Sequence, residues 1–226
     1  MRVVRNIFEA KSSRAIRVLL SNPGRKWTIR EIASEASVAF GYVHAVVANL
    51  IQSGYLLRNQ VNRLELVDPI RLVKRWGAYH QFNTVNTMLP YYTFEREIDS
   101  LIGKLRDVTA DYALTSLSGA WLVTPQVRPV VIEAYIHNAS QAEKLSKELQ
   151  LKPIPKEGNV RLIVPYDEGV FYQAQRIEGV HIVSNIQLYV DLYNYPARGE
   201  EASLPVLALV EKVWNQALIG VAKASV

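Results

Sequence analysis

The sequence predicts an α/β (α+β) protein of two domains, an amino-terminal winged helix-turn-helix joined to a mixed α/β domain. Three observations predict it. Residues Lys26 to Asp68 read as two short helices, a tight turn and a β-ribbon. Basic charge concentrates in the same part of the chain: residues 1–80 hold 13 Lys+Arg against 5 Asp+Glu, while residues 81–226 hold 13 against 16. Beyond Pro90, strand patterns alternate with helical ones, as in a sheet covered by helices.

The first helix of the motif starts at Thr28, because Thr28 and Glu31 have the T-x-x-E spacing of a capping box and turn Ile29, Ile32 and Ala33 inward. It runs to about Ala36 and breaks at Ser37. The second helix carries Val43, Val46, Val47 and Leu50 at helical spacing, with Gly54 as its stop. Tyr55, Leu57, Val61, Leu64 and Leu66 then predict two strands around a polar turn, Asn59 to Asn62. These make the wing.

With Val43 at the centre of the buried face, Gly41, Ala45, Ala48 and Gln52 project to the opposite side. Small residues there let the helix backbone approach a groove floor. Tyr42, His44 and Asn49 flank them with groups able to hydrogen-bond base edges. The candidate base-reading set is therefore Gly41, Tyr42, His44, Ala45 and Asn49, whereas Phe40 projects nearer the core and is expected to pack. No Arg or Lys lies between Arg30 and Arg58, so affinity has to come from phosphate contacts outside the helix. The candidates are Arg2, Arg5, Lys11, Arg14, Arg25, Lys26, Arg30, Arg58 and Arg63.

A helix from Ile70 to Phe82, packed through Leu72, Val73 and Trp76, connects to the second domain, and the polar stretch Asn83 to Pro90 marks the boundary. The expected domains are 1–82 and 83–226. In the second, Tyr91 to Phe94 predicts a short strand, Glu95 to Val108 a helix and Thr115 to Val123 another. The run PVVIEAYIH, 129–137, predicts a buried strand, and Ser140 with Glu143 a capped helix. Strands are expected at 160–164, 170–172 and 180–183. Ser184 with Gln187 opens a helix, and a last one spans about Glu200 to Ala217, with Pro205 near its start.

Composition narrows the class of function. With no cysteine among 226 residues, disulfides and thiolate metal sites are excluded. His44, His80, His137 and His181 are widely spaced, so neither a metal nor another cofactor is expected. There is no G-x-G-x-x-G, Walker loop, G-x-S-x-G or H-E-x-x-H. No targeting signal follows Arg2 and Arg5, and no window approaches a membrane span, which predicts a cytoplasmic protein without a membrane partner.

The winged-helix pattern followed by YALTSLSGAWLV, PVVIEAYIH, NVRLIVPYDEGVFY and especially VSNIQLYVDLYNYPARGEEA resembles the AbiEi-type antitoxins of type IV toxin-antitoxin systems. The resemblance implies a transcriptional autorepressor that binds double-stranded DNA at its own promoter through the first domain. It also implies an antitoxic second domain acting against a nucleotidyltransferase-like toxin, without a stable complex being required. The second domain of this family looks like a degenerate nucleotidyltransferase fold. Such an enzyme places a Gly-Ser turn before paired carboxylates that hold Mg²⁺. Here Ser118-Gly119 is reversed and the strand offers only Glu133, with Glu168 or Asp191 as distant partners, so no catalytic residues are assigned. Asp191, Arg198, Glu200 and Glu201 are candidates for an antitoxin surface, set against an internal ion pair with a helix cap. A rival regulator would instead sense a small molecule through Tyr91, Tyr92, Phe94, Trp121 and Tyr135. Either form could act as a monomer or a homodimer.

Overall fold

A computed structural model describes residues 6–224. The chain divides into two compact units, one formed by residues up to Tyr79 together with those from Leu207 on, the other by His80–Val206.

The first unit holds α1 (Ala10–Leu20), α2 (Ile29–Glu35), α3 (Phe40–Gln52), β1 (Leu56–Arg58), β2 (Leu64–Leu66) and α4 (Pro69–Tyr79). Its last element is the part of α10 (Gly199–Ala224) that begins at Leu207. The Thr28 hydroxyl accepts from the Glu31 amide while the Glu31 carboxylate accepts from the Thr28 amide, so α2 begins on the expected capping box. Val43, Val46, Val47 and Leu50 of α3 are all buried. Gly54, at φ +74°, ends that helix in the left-handed conformation that costs glycine little. The ribbon β1–β2 is antiparallel with Arg58 opposite Leu64, and Trp27 adds a bridge of two backbone hydrogen bonds to Leu64. Trp214 anchors α10 by donating its indole N–H to the Leu20 carbonyl, 2.9 Å away.

Two expectations change phase. Leu56, not Leu57, enters the core; Leu57 and Val61 are exposed on the wing. Tyr55 and Leu56 are both buried while Leu57 and Arg58 are both exposed, so the first strand does not follow the alternation read from the sequence. Phe40 is half exposed rather than packed. It is the first residue of α3 and sits about 60° from the Val43 direction, at the edge of the apolar stripe.

The second unit contains α5 (Phe82–Val85), β3 (Thr87–Tyr92), α6 (Ile98–Lys104), β4 (Ala113–Leu114), α7 (Ser116–Val123) and β5 (Ile132–Tyr135). It continues with α8 (Ala139–Glu148), β6 (Lys152–Pro153), β7 (Val160–Val164), β8 (Gln175–Ile177), β9 (Val180–Ile182), α9 (Asn185–Tyr193) and the start of α10. Seven strands form one mixed sheet in the order β6-β3-β7-β5-β4-β9-β8, parallel at β5/β7 and β4/β9 and antiparallel elsewhere. Strand β5 alternates by chemistry: Ile132, Ala134 and Ile136 join the apolar core, while Glu133 and Tyr135 enter a buried polar layer.

Several boundaries differ from expectation. Strand β3 begins at Thr87, inside the polar stretch, because residues 87–91 pair with β7, and β6 joins the other edge only at Tyr91 and Tyr92. Helix α6 is shorter than 95–108: the amides of Leu105, Arg106 and Asp107 donate to carbonyls three residues back, which ends the α-helix at Lys104 in a tighter turn. Asn138, not Ser140, caps α8 by accepting from the Gln141 amide. Residues 168–171 form a 3-10 turn capped by Asp167 instead of a strand at 170–172. The hairpin strand β8 had no apolar alternation to announce it.

Candidate nucleic-acid interface

Helices α2 and α3 are joined through four residues, Ala36 to Ala39, and their axes turn by 117°. Such a turn is the geometry of a helix-turn-helix pair. Ser37 makes the corner at φ 51°, and Val38 closes it by donating to the Ala33 carbonyl. With Val43, Val46, Val47 and Leu50 buried, α3 exposes Gly41, His44, Ala48 and Gln52, and half-exposes Ala45. A methyl group added at Gly41 would meet nothing within 4 Å, so the helix begins beside open space.

The base-reading candidates do not share one environment. His44 is exposed, its ring 6.3 Å from that of Phe40 one turn earlier. Phe40 therefore adds an exposed aromatic that the helical projection places in the core; its i, i+4 spacing from His44 was the available signal. The Tyr42 hydroxyl lies 3.0 Å from Ser12 Oγ and ties α3 to α1. Asn49 accepts from Ser53 Oγ at 3.4 Å and lines a hollow of about 490 Å³ with Phe8, Arg75 and Tyr79.

The basic candidates also separate. Lys11, Arg25, Arg30 and Arg58 are exposed, and Arg14 is half-buried. Arg25 stacks on Trp27, its guanidinium carbon 3.7 Å from the ring centroid, which holds the charge flat against the base of the ribbon. Arg58 donates to the neutral Asn62 side chain at 2.7 Å and keeps its full charge for an outside anion. Lys26 and Arg63 are partly neutralised, Lys26 by Glu65 at 3.1 Å and Arg63 by Glu31 at 2.8 Å. The Thr28 amide, the Thr28 hydroxyl and then Arg63 pull the Glu31 carboxyl down to about 2. Arg2 and Arg5 lie outside the described residues. Arg17 is buried, donating to Ser13 Oγ with its guanidinium over Trp76, so this cation is structural.

In the second unit the antitoxin-surface candidates divide. Asp191 is fully buried, which corrects its assignment to a surface. Thr115 Oγ1 donates to it at 2.6 Å, Gln187 Nε2 donates at 2.7 Å, and His80 Nε2 lies 3.0 Å away. The helical spacing of Gln187 and Asp191 hid this because the partner strand and His80 are distant in sequence. Arg198, Glu200 and Glu201 are exposed, and Arg198 grips Glu201 through two hydrogen bonds of 2.8 and 2.6 Å. Arg198 thus pairs within its own turn and not with Asp191.

Glu133 is buried against Arg161; burial raises its carboxyl pKa despite that cation. Ser118 donates to the Val131 carbonyl and accepts from the Glu133 amide, so its hydroxyl holds β5 to α7. Among the described residues no group of three or more His, Asp or Glu side chains could hold a metal ion. The five aromatics considered for a sensor do not converge: Tyr135 is buried, Phe94 is exposed against Tyr92, and Trp121 donates to Asp99. Among the described residues no single helix is long and apolar enough to cross a membrane.

A family model described as transcriptional regulator, AbiEi antitoxin, type IV toxin-antitoxin system matches residues 63–210. That span begins in the ribbon and covers the whole of the second unit. Comparison with curated proteins and with solved structures finds no match.

Proposed function

The chain belongs to the AbiEi family of transcriptional regulators and antitoxins of type IV toxin-antitoxin systems, and we propose that it represses its own promoter through a winged helix in the first unit. One observation carries the reading: an exposed row of small residues on α3, headed by Phe40 and His44, belongs to a unit whose exposed cations include Lys11, Arg25, Arg30 and Arg58. The small residues allow close approach to a groove floor, and the cations supply affinity by displacing condensed counterions. Tyr42 and Asn49 act from the flanks, while Lys26 and Arg63 contribute less because carboxylates already hold them. Specificity then rests on His44 and Phe40 at base edges, on shape, or on both.

The second unit is the antitoxic part, opposing a nucleotidyltransferase-like toxin in the cytoplasm without a lasting complex. Its polar layer is structural rather than catalytic: Glu133 is occupied by Arg161, and Asp191 by Thr115 and Gln187. Arg198, Glu200 and Glu201 remain as its exposed candidates for antitoxicity. The protein works as a monomer or as a homodimer on paired half-sites.

A promoter-reporter assay combined with toxin co-expression tests both halves. His44→Ala with Arg58→Ala should release the reporter yet still rescue growth, and Glu200→Ala with Glu201→Ala should do the reverse. Repression that survives the first pair of substitutions overturns the assignment of the interface.

A further inference from the structure

A cavity of about 260 Å³ in the second unit has no part in the proposed repression or antitoxicity. Its size falls near the lower end of small-molecule sites. Arg106, Tyr112, His137, Phe171, Arg176 and His181 line it from the end of α6, the edges of β4 and β5, the 3-10 turn and the β8–β9 hairpin. We propose that this cavity binds a mononucleotide, with the phosphate held by Arg176 and Arg106 and the base laid against His137.

The charge of the cavity selects an anion. Two arginines and two histidines line it, against a single carboxylate, Asp111. Arg176 donates its Nε–H to the Gly179 carbonyl at 3.1 Å, which fixes the guanidinium and leaves its terminal N–H groups available. No carboxylate pairs with Arg176 among the described residues. Arg176 and His181 are direct cross-strand partners, both exposed, so they present neighbouring donors from one face of the hairpin. Arg106 is held only by Glu178, an exposed pair at 3.0 Å that a phosphate can outcompete.

The walls select a planar ring. His137 stacks on Phe171 with centroids 4.0 Å apart and planes inclined by 27°, and its exposure leaves the outer face of the imidazole open. Tyr112 stands edge-on to His181 at 5.7 Å and forms a second aromatic wall. The Tyr112 hydroxyl donates to the Leu105 carbonyl and accepts from the His181 amide, which locks that wall in place. A flat aromatic platform beside a fixed guanidinium matches a base joined to a phosphate better than it matches a bare anion.

Isothermal titration of the full chain with AMP, GMP, CMP, UMP, adenosine, ribose 5-phosphate and inorganic phosphate tests this. At least one mononucleotide should bind with Kd below about 1 mM, and ribose 5-phosphate and adenosine should bind at least about tenfold more weakly. Arg176→Ala and His137→Ala should each weaken the nucleotide by about tenfold or more at unchanged melting temperature. If Arg176→Ala melts early through loss of its Gly179 contact, His137→Ala, which loses only a ring stack, is sufficient to decide between the outcomes. Absence of heat with all four mononucleotides overturns the proposal. So does inorganic phosphate binding as tightly as any nucleotide, or a folded His137→Ala variant that binds like the parent.

Discussion

Replacing Asp191 by alanine separates a framework role from a surface role. The carboxylate is fully buried and is the acceptor for Thr115 Oγ1 at 2.6 Å and Gln187 Nε2 at 2.7 Å, with His80 Nε2 at 3.0 Å. Truncation takes that acceptor from the Thr115 and Gln187 donors and removes the charge beside His80. Each buried donor left unmatched costs about 1–3 kcal/mol, partly recovered when a hydroxyl or a ring reorients. The sum should lie near 4 kcal/mol, about the cost of removing one member of a buried charged pair. For a unit of this size that loss lowers the melting temperature by roughly 10 °C or more. Urea and thermal denaturation followed by far-UV circular dichroism measure it, with Arg198→Ala as the reference because its partner Glu201 is exposed on the same helical turn. An Asp191→Ala variant that unfolds no earlier than Arg198→Ala rules out the framework role and returns Asp191 to the candidates for partner recognition.

The remaining predictions concern the first unit. Because the folded-state Glu31 carboxyl is depressed to about 2 from an ordinary 4.5, its contribution is complete above the unfolded value and disappears as pH falls through the folded one. The melting temperatures of the parent and Glu31→Gln should therefore differ at pH 7 and converge towards pH 2; a constant difference contradicts the assignment. Arg58→Ala should weaken specific and random DNA alike and make the salt slope shallower by about one, whereas Arg63→Ala should in addition lower thermal stability by unpairing Glu31. His44→Ala should reduce the preference for the operator by about 1–3 kcal/mol in competition binding, and an equal loss on random duplex rules out base reading. Tyr42→Phe removes the hydroxyl contact with Ser12 and should cost about 1 kcal/mol of stability in urea denaturation.

Much of this arrangement was legible locally. The Thr28 capping box, the apolar stripe of α3, the Gly54 stop and the Ser184 cap each depend on residues within one or two turns, where spacing alone carries the geometry. What was not legible depends on chain segments far apart. The Trp27 bridge to Leu64 and the Asp191 contact with Thr115 join residues 37 and 76 positions apart, and no period records them. The start of strand β3 was hidden because it is set by pairing with β7, more than 70 positions away in sequence. The candidate interface was read partly by charge, and charge cannot say which arginine already has a carboxylate: Arg63 and Lys26 do, Arg58 does not. The cavity lined by Arg176 and His137 escaped notice because its residues come from five segments with no motif in common.

Operator reading by the first unit is tested by fluorescence-anisotropy titration of the purified protein on its own upstream DNA and on a shuffled duplex, across a series of salt concentrations. Selective binding to the upstream sequence is expected, with a log–log salt slope near −4 per protomer if Lys11, Arg25, Arg30 and Arg58 each neutralise one phosphate. Equal affinity for both duplexes, abolished together by moderate salt, would contradict it: the first unit would be an electrostatic platform and not the reader of an operator.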